Sequence, residues 1–132
     1  MDEQTRALLK ELRQMGSEKA ANHVMERFPA GGGGSGVAIT AIEHLSWRRK
    51  DQVRLAEHYL STIPHANNLT YKAFATFMSL PLFLGLIEKN MPLEENQRDL
   101  LFYYLRPVLR KVAKSQCDIG LVAEFLGRYG RS

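Results

Sequence analysis

One long apolar stretch constrains the fold of this chain more than any other feature. Between Lys72 and Glu88 there are 15 consecutive residues without a charged side chain. A helix that is apolar on nearly every side has to be buried on most of its surface. We therefore predict that residues Leu69 to Ile87 form the centre of a helical fold. The apolar side chains of the stretch are Ala73, Phe74, Ala75, Phe77, Met78, Leu80, Leu82, Phe83, Leu84, Leu86 and Ile87.

The same stretch is too short to cross a membrane. A bilayer-spanning helix needs about 20 apolar residues, and Pro81 interrupts this one. We expect Pro81 either to kink the helix or to end it, with Ser79 capping a new helix in the second case. The stretch therefore predicts a buried core element and no membrane partner.

Helical periodicity recurs on both sides of this stretch. Apolar residues at helical spacing predict further helices over 3–15, 17–28, 37–45, 47–63, 93–112 and 119–126. The sequence contains no run of alternating apolar and polar residues and no tight hairpin turn of the Asn-Gly kind. We predict an all-α fold, a compact antiparallel bundle of seven or eight helices. Stacked helical hairpins of the HEAT kind are the alternative arrangement.

Residues 30–36 read Ala-Gly-Gly-Gly-Gly-Ser-Gly. Such a run has no preferred structure and behaves as a flexible coil. It resembles an engineered fusion linker, and a natural glycine-rich loop is the alternative. We therefore predict a helical segment over 1–29, a linker over 30–36 and a helical domain over 37–132.

The first segment has an apolar side that it cannot shield by itself. Two short helices are marginal alone and become stable by packing on something larger. We predict that the segment docks as an N-terminal helical hairpin into an apolar groove of residues 37–132, a common recognition mode. It would be part of a partner protein, or of the same protein with a loop replaced by glycines. The predicted interface residues are Leu8, Leu9, Leu12, Met15, Val24, Met25 and Phe28.

The basic residues are unevenly distributed. Residues 1–29 carry five basic and five acidic groups, so the whole net charge of +4 lies in 37–132. Two basic clusters stand out there, and such clusters contact phosphates or acidic protein segments. The alternative is an ordinary solvated polar face. The candidate contacts are Arg48, Arg49, Lys50 and Arg54 in one cluster and Arg106, Arg110, Lys111 and Lys114 in the other.

No set of residues forms a catalytic or metal-binding motif. The four histidines show no ligand spacing with one another or with Cys117, and there is no phosphate-binding loop. Glu94 and Glu95 fit the first turn of a helix, where carboxylates favour the helix dipole. We expect no enzyme activity, no cofactor and no metal ion.

The sequence also predicts where the protein works. A single cysteine fits a reducing compartment, and the start Met1-Asp2-Glu3-Gln4 is unlike a secretory signal. We expect an intracellular protein, cytoplasmic or nuclear. The predicted function is a non-catalytic adaptor or scaffold domain for protein–protein interaction, held in a single-chain fusion with its helical binding segment. A basic helical domain that binds nucleic acid is the alternative.

Overall fold

The computed structural model describes residues 2–32 and 34–131, and within these residues it contains α-helices and no strand. The predicted all-α class is therefore confirmed. None of the helices is long and apolar enough to cross a membrane within this described part of the chain. The helices are α1 (Glu3–Arg13), α2 (Ser17–Arg27), α3 (Ser35–Glu43), α4 (Arg49–Leu60), α5 (Leu69–Phe77), α6 (Leu80–Lys89), α7 (Glu95–Val112) and α8 (Gln116–Arg128).

The chain divides into two compact units, Met1–Thr62 and Ile63–Ser132. The boundary lies between α4 and α5, and the glycine stretch at 30–36 lies inside the first unit. This is because α1 and α2 pack on α3 and α4. The predicted origin of the segments 1–29, 30–36 and 37–132 stays a prediction.

The first unit is built from two helical hairpins, one packed on the other. Helix α1 packs mainly on α3, and α2 packs on α4. Hydrogen bonds join the region of α2 to α4, from Ser17 with Asp51 to Phe28 with Tyr59, and their partners are 30–35 residues apart in the sequence. Because this separation stays nearly the same along both helices, α2 and α4 run parallel.

The second unit repeats this arrangement. Helix α5 packs on α7 and α6 packs on α8, with further contacts within each hairpin. Arg128 near the end of α8 is 2.8 Å from Glu88 near the end of α6, so the C-terminal ends of these two helices lie close together. The largest fully buried side chains of this unit are Tyr71, Phe74, Phe83, Phe102 and Phe125.

The long apolar stretch forms two helices. Helix α5 ends at Phe77 and α6 begins at Leu80, with Pro81 in its first turn. Of the two outcomes that the sequence left open, the break is the observed one, because proline fits the first helical positions. Thr76, Ser79 and Pro81 are exposed, so the stretch has a solvent side.

Helix α2 begins at Ser17, where the predicted range 17–28 begins, and Gly16 holds its N-cap position. The Ser17 hydroxyl is bonded to Asp51, 34 residues away. Helix α3 begins at Ser35, so residues 35–36 of the predicted linker are helical.

The glycine stretch adopts defined turns where it is described. Gly31 and Gly34 have φ angles of 77° and 87°, in the left-handed region that favours glycine. The Ser35 hydroxyl donates to the Gly32 carbonyl at 2.9 Å. Gly33, at the centre of the predicted linker, lies outside the described residues. Composition alone makes these glycines equivalent, whereas positive φ angles set Gly31 and Gly34 apart from Gly32.

We expect Gly34→Ala to destabilise the first unit and Gly36→Ala to stabilise it. An alanine Cβ at position 34 would lie 3.2 Å from the Phe28 ring, in a backbone conformation that strains L-residues. Position 36 is helical and open, so alanine there should add about 0.4–1 kcal/mol to the free energy of unfolding. Urea unfolding followed by fluorescence of Trp47, the chain's one tryptophan, measures both changes. Equal, negligible effects would mean that the stretch is a structureless tether.

Candidate functional site

The predicted interface residues of the N-terminal hairpin lie mostly in the core of the first unit. Met15 and Met25 are half-buried. Met15 lines a small cavity of about 210 Å³ together with Leu12 and Trp47. The apolar side of the hairpin is therefore covered, and its role as an interface stays a prediction. The buried members of the set are Leu8, Leu9, Leu12, Val24 and Phe28.

A polar network joins the first turns of α2 and α4. Asp51 is 0% exposed. It accepts a hydrogen bond from the Ser17 hydroxyl at 2.6 Å and one from Arg54 at 2.9 Å. The Ser17 oxygen in turn accepts from the backbone N–H of Arg48 at 3.0 Å, and Arg54 also contacts the Asn22 side chain. A buried carboxylate needs such partners, so this network fixes how α2 lies along α4.

The opposite ends of α2 and α4 are joined through Tyr59. Its hydroxyl donates to the Phe28 carbonyl at 2.8 Å, and its ring is almost fully buried. Burial raises the pKa of Tyr59 far above its ordinary value of 10.0, so the hydroxyl keeps its proton and remains a donor. The hairpin is therefore bonded to α4 at both ends of the seam.

The electrostatic balance at Asp51 favours the charged form. Burial from water raises its pKa, but hydrogen bonds from Ser17 and Arg54 and the charges of Arg54 and Lys50 outweigh burial. The pKa of Asp51 is therefore lowered from its ordinary value of 3.8. The carboxylate is an anion at neutral pH and stabilises the folded unit.

The first predicted basic cluster is partly used inside the unit. Arg54 is bonded to Asp51, and Lys50 lies 3.7 Å from Glu18. Arg48 and Arg49 are exposed. Two of the four side chains therefore have an acidic partner within the unit, and the role of this cluster in nucleic-acid binding stays a prediction.

The second predicted basic cluster is divided between two environments. Arg110 is exposed, and Arg106 is half-buried. The Nε atom of Arg106 is buried and has no hydrogen-bond partner in the described part of the chain. Lys111 and Lys114 line a cleft instead. Lys114 lies beyond the end of α7, and the role of this cluster in nucleic-acid binding stays a prediction.

This cleft lies within the second unit and has a volume of about 530 Å³. Volumes of this size are typical of ligand-binding clefts. Its walls come from α5, α7 and the start of α8, and they combine apolar and basic side chains. The lining residues are Asn68, Lys72, Ala75, Thr76, Met78, Leu80, Pro107, Val108, Lys111, Val112, Lys114 and Asp118.

Lys72 is the cleft residue that sequence reasoning missed. It is the only charged residue of α5 and has no basic neighbour along the chain, so no cluster pointed to it. Packing of α5 on α7 brings it to the cleft that Lys111 and Lys114 also line. In the sequence, the only indication of its role is that Lys72 is an isolated lysine directly before the long apolar stretch.

No three histidine, cysteine, aspartate or glutamate side chains in residues 2–32 and 34–131 are placed to hold a metal ion. Cys117 is exposed, and His23 forms a surface pair with Glu11 at 3.0 Å. No family model, curated protein or solved structure matches this chain.

We expect Asp51→Asn to lower the free energy of unfolding of the first unit by about 1–3 kcal/mol at neutral pH. The variant loses the charge that Ser17 and Arg54 stabilise. Urea unfolding monitored by Trp47 fluorescence measures it. Glu18→Gln is the matched control, because Glu18 pairs with Lys50 on the surface, and it should change little.

The same side chain predicts a pH dependence. A carboxylate with a lowered pKa contributes stability above its unfolded pKa, near 3.8, and loses it as pH falls through the folded value. Unfolding curves between about pH 6 and pH 3 should therefore show a smaller loss of stability in Asp51→Asn than in the parent. Parallel pH profiles would contradict the assigned role.

Proposed function

We propose that this chain is a non-catalytic protein–protein interaction domain that seats a helical hairpin in an apolar groove. In this reading the hairpin α1–α2 is the bound segment, and the glycine stretch holds it to the rest of the bundle in a single chain. The observation that carries the proposal is the seam between α2 and α4. There apolar burial and directed hydrogen bonds occur together, as in helix-in-groove recognition.

Apolar burial supplies the affinity. Leu8, Leu12, Val24 and Phe28 are each at most 5% exposed. Burying a side chain of this size contributes about 1.5–3 kcal/mol relative to leaving it in water. The loss of freedom on binding offsets part of this free energy. We expect the burial of these four side chains to exceed that cost only when the hairpin is held close to its binding site.

Polar contacts supply the orientation. Asp51 meets Ser17 at one end of the seam, and Tyr59 meets the Phe28 carbonyl at the other. A helix shifted by one turn would leave the buried carboxylate of Asp51 without its hydroxyl partner, at a cost of about 1–3 kcal/mol. The groove would therefore select hairpins with a small hydroxyl residue at the start of the second helix.

The glycine stretch supplies the proximity. A short flexible connection raises the effective concentration of a tethered segment to about the millimolar range. Gly31 and Gly34 adopt left-handed backbone conformations in this connection, which glycine tolerates best. Cys117 is the one cysteine of the sequence, and it is exposed. A single unpaired cysteine fits a reducing environment, so we propose that the interaction takes place inside the cell.

Cutting the connection in the folded protein tests the proposal. A protease site that replaces Gly33 can be cleaved after folding, and size-exclusion chromatography then shows whether the two pieces stay together. We expect them to co-elute, and dilution to release the hairpin with a red shift in Trp47 emission, since Trp47 lines a cavity with Leu12. Leu12→Ala should weaken reassociation by about 2–5 kcal/mol.

Met25→Ala is the control variant, because Met25 is half-buried. Its effect should be clearly smaller than that of Leu12→Ala. If the cleaved pieces separate at once and do not reassociate, the hairpin is not a binding segment, and the proposed interaction function fails.

A further inference from the structure

We propose that the cleft of the second unit is a separate docking site, and that its occupant is an acidic amphipathic helix of another protein. The cleft is formed within residues Ile63–Ser132. It shares no residue with the hairpin seat of the first unit. This inference therefore does not depend on the function proposed above.

The apolar part of the cleft calls for apolar side chains in its occupant. Ala75, Met78 and Leu80 come from α5 and the start of α6, and Val108 and Val112 come from α7. These side chains face a space of about 530 Å³ that the unit does not fill by itself. Apolar surface left in such a cleft is stabilised when a partner removes it from water.

The charged part of the cleft calls for carboxylates. Lys72, Lys111 and Lys114 line it, and Asp118 is the single acidic residue among its lining residues. All three lysines are exposed, and no salt bridge engages them in the described part of the chain. Their charges are therefore available to a ligand, and complementarity favours an acidic partner over a basic one.

The walls of the cleft favour a helix over an extended peptide. Extended peptides commonly bind by adding a strand to a sheet edge or as polyproline segments in aromatic-lined grooves. Residues 2–32 and 34–131 contain no strand, and no aromatic residue is among the lining residues of the cleft. A helix completes its own backbone hydrogen bonds and presents apolar residues on one side and carboxylates on its flanks. The cleft runs along α5 and is bounded by the end of α7 and the starts of α6 and α8, which leaves an open space for such a helix.

Two synthetic peptides test this inference on the intact chain. One is a helical peptide with leucines along one face and glutamates flanking them, and the other carries glutamines in place of the glutamates. An environment-sensitive dye on Cys117 reports binding, because Cys117 is exposed and adjoins the cleft residue Asp118. We expect the acidic peptide to bind at least about tenfold more tightly than the neutral one, and added salt to reduce the difference.

Charge-reversal variants locate the binding site. Lys72→Glu and Lys111→Glu should each weaken binding of the acidic peptide by about tenfold or more. Lys89→Glu is the matched control, because Lys89 is exposed in the same unit and does not line the cleft. It should leave the affinity unchanged. Circular dichroism checks that all three variants keep their helices.

Three outcomes would overturn the proposal. The first is no binding of the acidic peptide, and the second is equal binding of both peptides. The third is equal loss of affinity in Lys72→Glu and Lys89→Glu, since this would show attraction to the general charge of the unit.

The first outcome has one informative form. If a small anionic amphiphile binds with the same lysine dependence while the peptide does not, the cleft binds a small molecule. The hairpin experiment on the first unit is unaffected by any of these results.

Discussion

Both units depend on the same packing, in which the first helix of the unit contacts the third and the second contacts the fourth. Helix α1 packs on α3 and α2 on α4, and the pairs α5 with α7 and α6 with α8 repeat this. A hairpin of two short helices has an apolar side that it cannot bury alone. Stacking a second hairpin on it in the same orientation covers that side, so each unit is made stable by two hairpins together.

This arrangement explains why the polar contacts lie where they do. Because α2 and α4 run parallel, their first turns meet, and Ser17 can donate to Asp51 at 2.6 Å. Their ends also meet, and Tyr59 reaches the Phe28 carbonyl. Apolar contacts alone would tolerate a shift along the helix axis, whereas a buried carboxylate accepts only one register. The seam therefore combines non-directional burial with directed bonds.

The second unit differs in what its stacking leaves open. In the first unit, Arg54 forms an ion pair with buried Asp51. In the second unit, Lys72, Lys111 and Lys114 remain exposed around a cleft. Packing of α5 on α7 places Lys72, in the first turn of α5, at the same cleft as Lys111 and Lys114. Apolar and basic side chains combine there, and for this reason we propose a partner for this cleft.

Several features of the protein could be predicted from the pattern of its residues. Helical spacing of apolar residues indicated seven or eight helices, and the described residues form eight. The proline at position 81 indicated a kink or a break in the long apolar stretch. The burial of Leu8 and Leu12 followed from the predicted apolar face of the first helix, and that of Phe28 from the predicted apolar face of the second. These properties are local, because periodicity and proline geometry act within a few residues of the chain.

The tertiary structure alone decided which residues meet. Ser17 carries the signature of a helix cap, yet its partner is Asp51, because α2 packs on α4. Arg54 belongs to a basic cluster in the sequence but bonds inward, and isolated Lys72 joins Lys111 and Lys114 only through packing of α5 on α7. Residue type and spacing determine which faces are apolar. Which apolar face packs on which other face depends on contacts between residues far apart in the chain, and a single sequence does not show these contacts.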